Sequence, residues 1–365
     1  MIDSNPAPLV RSAGRSSTAG CSRARMAGRA RSRLFVLTAA LVVLAFLGTP
    51  ALRAGPDDLH FYLTGHVGEA NVQVDLALGT GGLAAQARGS YFYVASTGRR
   101  LNLRGTNTPG SLHLTEFTED DPPKSTGQWK GEFRAGRFTG TWRSGDGRRS
   151  LPFEVAVTAG YSSETASAPR HTIGLCWPVF TNGAFGRAVT AEVEKSVRAD
   201  KADFLDTIKD PADDVFAGKR YGWDDDWRIE YYTDGLISLR RYCDKDAGQA
   251  GGNHGVARIE GHTYLKTSTG ARLLTETDIL RRPESWEGVA EPVYEELRRQ
   301  GAQYVADGQI RSASDLSLSQ LTVNRTGITF HFGSYAVAAY QQGTFAAFIP
   351  FRDIQACLHP KFKVP

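Results

Sequence analysis

The stretch best suited to chemistry is Gly251-Gly-Asn253-His254-Gly255. Flanking glycines permit positive φ and close approach of another backbone, so Asn253 and His254 are candidate contacts for a ligand or partner. No second histidine stands at metal-ligand spacing, and no Ser or Cys nucleophile is paired with His254 in sequence. The motif therefore reads first as a structural turn in which the imidazole bonds a backbone carbonyl. Trp223-Asp-Asp225-Asp-Trp227 places three carboxylates between two indoles, material for a cation site or a sugar-stacking surface, with Trp223 and Asp225 as the contacts. Adjacent acids seldom converge on one ion, and the tripeptide reads as a solvated turn before a strand over 228–231. Asp244-Lys-Asp246-Ala-Gly248 opens like a calcium loop but lacks the later Asp and the terminal Glu. Glu116, Glu119, Asp120 and Asp121 contain enough carboxyls for the acid pair of a glycoside hydrolase, which needs two groups about 5 Å or more apart across a cleft. With Pro122-Pro123 behind them they read as an exposed acidic loop. Trp129 and Trp142 could form a sugar platform, but the alternation around them favours packing.

These residues need elements to hold them. From 59 to 157 the chain alternates apolar and polar residues in short runs, as in Asn71-Val-Gln-Val-Asp-Leu-Ala-Leu78 and Ser111-Leu-His-Leu-Thr115. Such runs put one face of a strand on a core and the other in water. Turn signals at 79–82, 97–98, 106–110 and 145–147 separate them, and no helical period intervenes. An all-β antiparallel barrel or sandwich of about seven or eight strands is expected for 55–158. Residues 159–169 are small and polar and read as a linker. From about 170 strand-like runs alternate with two helical stripes, one carrying Val189, Val193, Val197, Phe204 and Ile208 within 184–208, the other Trp286, Val289, Val293 and Leu297 within 283–300. The second half, 170–365, is expected to be α+β, an antiparallel sheet with helices packed on one side, so that the whole chain is α+β. It should end in a hairpin from 327–332 and 344–349 and a short helix over 353–358.

The first 54 residues carry eight Arg and one Asp and contain an apolar run of about 15 residues, 34–48. That run falls short of the roughly 20 needed to cross a bilayer, so 1–54 reads as a secretory signal peptide cleaved near Ala51 to Ala54. An uncleaved anchor is the alternative, and Met26 is a candidate start. The remainder has 35 basic and 38 acidic residues, no excess of positive charge, so nucleic acid is not expected as a partner. Cys176, Cys243 and Cys357 remain after cleavage, an odd number in a compartment that permits disulfides. One bridge and one free thiol is the simplest reading, the pairing being open; the wide spacing argues against zinc.

Two groups of motifs in the second half go further. One comprises Tyr232-Thr-Asp-Gly-Leu-Ile-Ser-Leu239, the Gly251 to Gly255 motif and Leu273-Leu-Thr-Glu-Thr-Asp278. The other comprises Leu321 to Phe332, Ser334-Tyr335-Ala-Val-Ala-Ala-Tyr340, Gly343 and Phe348-Ile-Pro350. Together they resemble the extracellular domain shared by the lysozyme-sensing anti-sigma factor RsiV and the non-catalytic N-terminal part of the peptidoglycan deacetylase PdaC. Asn253 departs from that pattern, which has Ala, and Arg240-Arg-Tyr-Cys243 precedes the glycines. The resemblance spans about 170–360 and implies an RsiV-like fold and a wall-facing location, with Tyr335 and Tyr340 in its hairpin turn.

The expectation is a periplasmic or secreted, non-enzymatic binding protein of the bacterial envelope, recognising lysozyme or peptidoglycan, with no catalytic residues, metal or cofactor. A wall-glycan hydrolase or deacetylase-like enzyme using His254 with an acid from 224–226, and a structural envelope component, are the alternatives.

Overall fold

A computed structural model of the chain describes residues 58–79, 85–95, 100–118, 123–169, 171–208, 221–246, 256–281 and 286–363. The leader and its cleavage site, Asn253 and His254, the acids Glu119 to Asp121, and Pro283 lie outside the described residues.

Eight consecutive antiparallel strands open the described chain: β1 (Asp58–Val67), β2 (Ala70–Gly79), β3 (Ala85–Tyr93), β4 (Leu101–Thr108), β5 (Ser111–Phe117), β6 (Ser125–Arg134), β7 (Arg137–Ser144) and β8 (Ser150–Ser167). β1 pairs with β2 on one side and β8 on the other, which closes a barrel and leaves it no free edge. The two-residue alternation sends Leu63, Val74, Leu103, Leu114, Trp129 and Phe138 inward, all at most 2% exposed. Phe153 closes the aromatic centre, its ring centroid 4.7 Å from Trp129 and 4.6 Å from Phe138. Trp129 and Trp142 are cross-strand partners within this core.

The expected linker is strand instead. Residues 159–167 form the second half of β8, which leaves the barrel and pairs with β9 (His171–Phe180) from Ala159–Phe180 to Ser167–Thr172. Ala159 and Tyr161 are at most 5% exposed, and the Ser and Thr residues that suggested a flexible segment bond to a neighbouring strand. Helix α1 (Ala184–Thr207) then crosses over, so β9 and β10 (Tyr221–Tyr232) lie parallel. β11 (Leu236–Asp246), β12 (Val256–Thr267) and β13 (Gly270–Leu274) complete the sheet antiparallel. Two short helices, α2 (Glu276–Ile279) and α4 (Gln303–Ala306), flank α3 (Glu287–Arg299). A second sheet comprises β14 (Leu321–Val323), β15 (Gly327–Phe332) and β16 (Phe345–Pro350). Two short 3-10 turns, Phe351–Asp353 and Gln355–Cys357, replace the expected terminal helix.

The molecule is thus mostly antiparallel β: an eight-stranded barrel, an open sheet continuing from it, a second small sheet and few helices. The expected placement of both helices on one side of one sheet is not what the structure has. Alternation along β11 explains the difference, because Ile237 and Leu239 pack with Val189, Val193 and Val197 of α1, whereas Leu236 packs with the small sheet and with Val293 and Leu297 of α3. The central sheet is covered by α1 on one face and by the small sheet, backed by α3, on the other. β14 approaches so closely that a Cβ on Gly261 would stand 2.2 Å from the Leu321 carbonyl oxygen, so β12 needs glycine there.

No disulfide joins the three described cysteines. Cys176 lies opposite Asp226 of β10, and Cys243 lies opposite Asp225. The two thiols are therefore on opposite faces and two strands apart, about 10 Å, beyond the reach of a disulfide. Cys357 packs in the separate core beside α3.

Candidate functional site

The tripeptide read as a solvated turn lies inside β10. Its alternation turns Trp223, Asp225 and Trp227 toward α1, each 1% exposed, and turns Asp224 and Asp226 the other way. Asp225 accepts two hydrogen bonds from Arg241, from Nε at 2.8 Å and Nη2 at 2.7 Å. Asp200 of α1 pairs with the same Nη2, Glu260 stands 3.3 Å from Nη1, and the guanidinium lies 5.1 Å from the Trp227 ring centroid. Burial pushes the Asp225 carboxyl up against the pull of Arg241, while the surrounding carboxylates overcome burial and hold Arg241 above its usual range. Trp223 and Asp225 are thus internal pins between α1 and the sheet. As they stand, neither side chain reaches a partner at the surface.

Glu116 is internal too. Tyr91, Thr126 and Trp142 Nε1, the last at 2.9 Å, donate to its carboxylate inside the barrel. Charge-assisted bonds of this kind satisfy a buried carboxylate without any ligand.

A polar seam fixes the barrel wall to the central sheet, and the sequence motifs did not single it out. His60 and Asp75 meet at 2.5 Å, and Arg228 donates to His60 at 2.7 Å and to Asp226 at 2.8 Å. Tyr161 stacks on His60 at 3.9 Å and receives the Ile229 amide. Beside it Glu230 accepts from Arg100 and Arg240, which overcome the burial that would raise its carboxyl and hold it at about 2. Partners separated by up to 168 residues build this network. Only the tertiary fold brings them together.

Tyr335 and Tyr340 present the opposite situation. After β15, Gly333 lies against the Ala257 carbonyl, to which the Ser334 amide donates at 3.0 Å. The turn is thereby anchored where β12 begins, and β12 begins immediately after the 251–255 motif. Val337 and Ala338 are buried, and Tyr304 donates to the Val337 carbonyl, so the middle of the turn is pinned inward. Tyr335 adopts φ 66 and is 50% exposed. A bulky side chain in the left-handed region costs on the order of 1–3 kcal/mol, and persists where the surroundings impose it. Its ring centroid lies 6.0 Å from that of Tyr340, tilted by 33°. Tyr340 and the acids Asp244 and Asp224 add to burial in pushing Tyr242 up to about 12. The result is an exposed tyrosine beside a second ring, suited to surface contact through apolar faces and hydroxyls.

Among the described residues no group of three or more His, Cys, Asp or Glu is arranged to hold a metal ion. Among the described residues no helix is long and apolar enough to cross a membrane. A shallow cleft of about 650 Å³ lies between α3 and β16, lined by Pro292, Phe348 and Pro350 and rimmed by Arg298 and Arg299. Both arginines pair with Glu295 and Glu296 on the same helix.

Fold and site together define a β-rich protein with an exposed aromatic turn. No family model matches the chain, and no curated protein is similar to it. Among the solved structures similar to it, two are matched over 55% of this chain's length, with 94% of each of those chains covered. One is a DUF3298 family member from Bacteroides fragilis, 16% identical with a TM-score of 0.37; the other is a DUF3298 family protein from Pseudomonas aeruginosa, 14% identical with a TM-score of 0.41.

Proposed function

We propose that this chain is an exported, non-enzymatic binding protein of the bacterial envelope whose Tyr335–Tyr340 turn contacts a protein or cell-wall glycan. The observation that carries the reading is Tyr335, exposed and held at positive φ by a turn anchored on both flanks. Strain kept at a half-exposed surface aromatic is consistent with selection for contact, since its one ring contact among the described residues is with Tyr340. The motifs shared with the RsiV and PdaC extracellular domains supply the partner class, lysozyme or peptidoglycan. The enzymatic alternative relied on an acid from 224–226 beside His254. Asp225 is engaged by Arg241 and Asp226 by Arg228, which weighs against it.

The test is calorimetric titration of the purified chain with lysozyme, alongside co-sedimentation with peptidoglycan, for wild type and Tyr335→Ala. Binding to one of the two, weakened at least about tenfold by the substitution, is the expected result for a central aromatic contact. Absence of binding to both overturns the reading, as does a variant that binds like wild type.

A further inference from the structure

The outer wall of the barrel carries two neighbouring rows of side chains that the strand register aligns. The first runs Arg88, Arg104, Thr115, Gln128, Arg143, Ser150 across β3 to β8, each directly opposite the next. The second, two residues along each strand, runs Gln86, Thr106, His113, Lys130, Thr141, Pro152. Every one of these positions except the half-buried Thr115 is exposed, and no carboxylate occurs in either row. Arg88 stands directly opposite Arg104 across adjacent strands.

Several cations elsewhere on the surface have acids beside them. Arg137 pairs with Glu154, Arg148 with Asp146, Arg198 with Glu194, and Arg298 and Arg299 with their helix neighbours. Among the described residues Lys130 and Arg143 have no ion pair, and Arg104 has only the Phe117 ring, 5.9 Å from its guanidinium carbon. From β3 to β7 the belt covers four strand spacings, about 19 Å of curved wall.

We propose that this belt binds a linear polysaccharide bearing carboxylate, sulfate or phosphate groups. Arginine forks match such oxyanions in bidentate geometry, and Thr, Gln, His and Ser between them offer partners to sugar hydroxyls. A flexible polymer can follow a convex wall that a rigid partner would touch at one strand. Among the described residues the large exposed apolar side chains are Leu273 and Tyr335, neither of them on the barrel. Among its described residues the wall thus offers no large exposed apolar side chain to insert into a membrane. This surface is separate from the Tyr335 turn and stands or falls without it.

The test titrates fluorescein-labelled dextran sulfate with the purified full chain, with neutral dextran, phosphatidylglycerol vesicles and duplex DNA in parallel. Dextran sulfate should bind, neutral dextran should not, and affinity should fall at least about tenfold between about 50 and about 200 mM salt. The triple variant Arg104→Gln, Lys130→Gln, Arg143→Gln should weaken binding by about tenfold or more and reduce the log–log salt slope by about 2. Arg143→Gln alone, a single surface change that spares folding, should weaken it about threefold. A control with the same loss of charge, Arg298→Gln, Arg299→Gln, Arg311→Gln, should bind like wild type. No binding of dextran sulfate, equal losses in belt and control variants, or tighter binding of DNA or vesicles each overturns the proposal.

Discussion

The two faces of the central sheet solve the same problem differently. Under α1, Arg241 is surrounded by Asp225, Asp200 and Glu260, and every charge has an opposite within reach. Under the small sheet, His331 is 4% exposed and donates or accepts through Nε2 with Thr322 at 2.9 Å, while its Nδ1 has no partner. The same side carries the strained Tyr335. The face closed by one long helix pairs its buried charges and leaves indole Nε1 atoms, those of Trp223 and Trp227, without a hydrogen-bond partner; the face closed by a small sheet leaves a titratable imidazole nitrogen unpartnered and carries a distorted turn. Unmet requirements of this kind are where a surface has room to respond to something outside itself.

The largest expected effect tests the helix-covered face. Asp225→Ala leaves a buried guanidinium with only its two half-exposed neighbours and should cost about 3 kcal/mol or more in urea unfolding. A loss below about 1 kcal/mol would mean that Asp200 and Glu260 hold Arg241 alone, and the contrast between the faces would vanish.

On the other face the test is acid. Burial outweighs Glu230 and holds His331 at about 4, below its ordinary 6.5. The unfolded chain takes up that proton first, so stability is complete above 6.5 and declines as pH falls toward 4. The decline attributable to this one group is about 3 kcal/mol. Glu230, held at about 2, acts in the same sense at lower pH, its contribution being lost below the ordinary carboxylate range. His331→Gln should flatten the stability profile between 6.5 and 4; an unchanged profile would show that the imidazole finds a partner in solution.

The smallest effect is the most diagnostic of function. Tyr335→Gly removes the penalty of positive φ and should leave stability unchanged or raise it by about 1 kcal/mol, while weakening partner binding. Loss of stability on this substitution would make the tyrosine a packing residue.

The barrel was legible because its signals are local: period-two alternation, frequent turns and inward aromatics lie within single strands and need no distant partner. The stripe at Val189, Val193 and Val197 announced α1 for the same reason, in a helix that runs from Ala184 to Thr207. What the sequence obscured was composition overruled by pairing. Small polar residues at 159–167 suit a linker equally well as a strand whose neighbours supply the hydrogen bonds. Likewise, Asp225 looks solvated until β11 brings the Arg241 guanidinium, 16 residues on, within hydrogen-bond reach of it. The seam of His60, Asp75, Arg228 and Glu230 had no signal in any window, since its members come from three strands, β1, β2 and β10, the last far from the other two in sequence.

Strand β8 belongs to both the barrel and the open sheet. A single extended backbone thus acts as a shared beam. Load applied at Tyr335 has a stiff hydrogen-bonded route through β12, β11, β10 and β9 into the barrel wall, with no slack segment on the way to absorb it. Cutting the chain between 160 and 167 would not release two intact halves, because the open sheet would lose part of its edge strand to the barrel fragment.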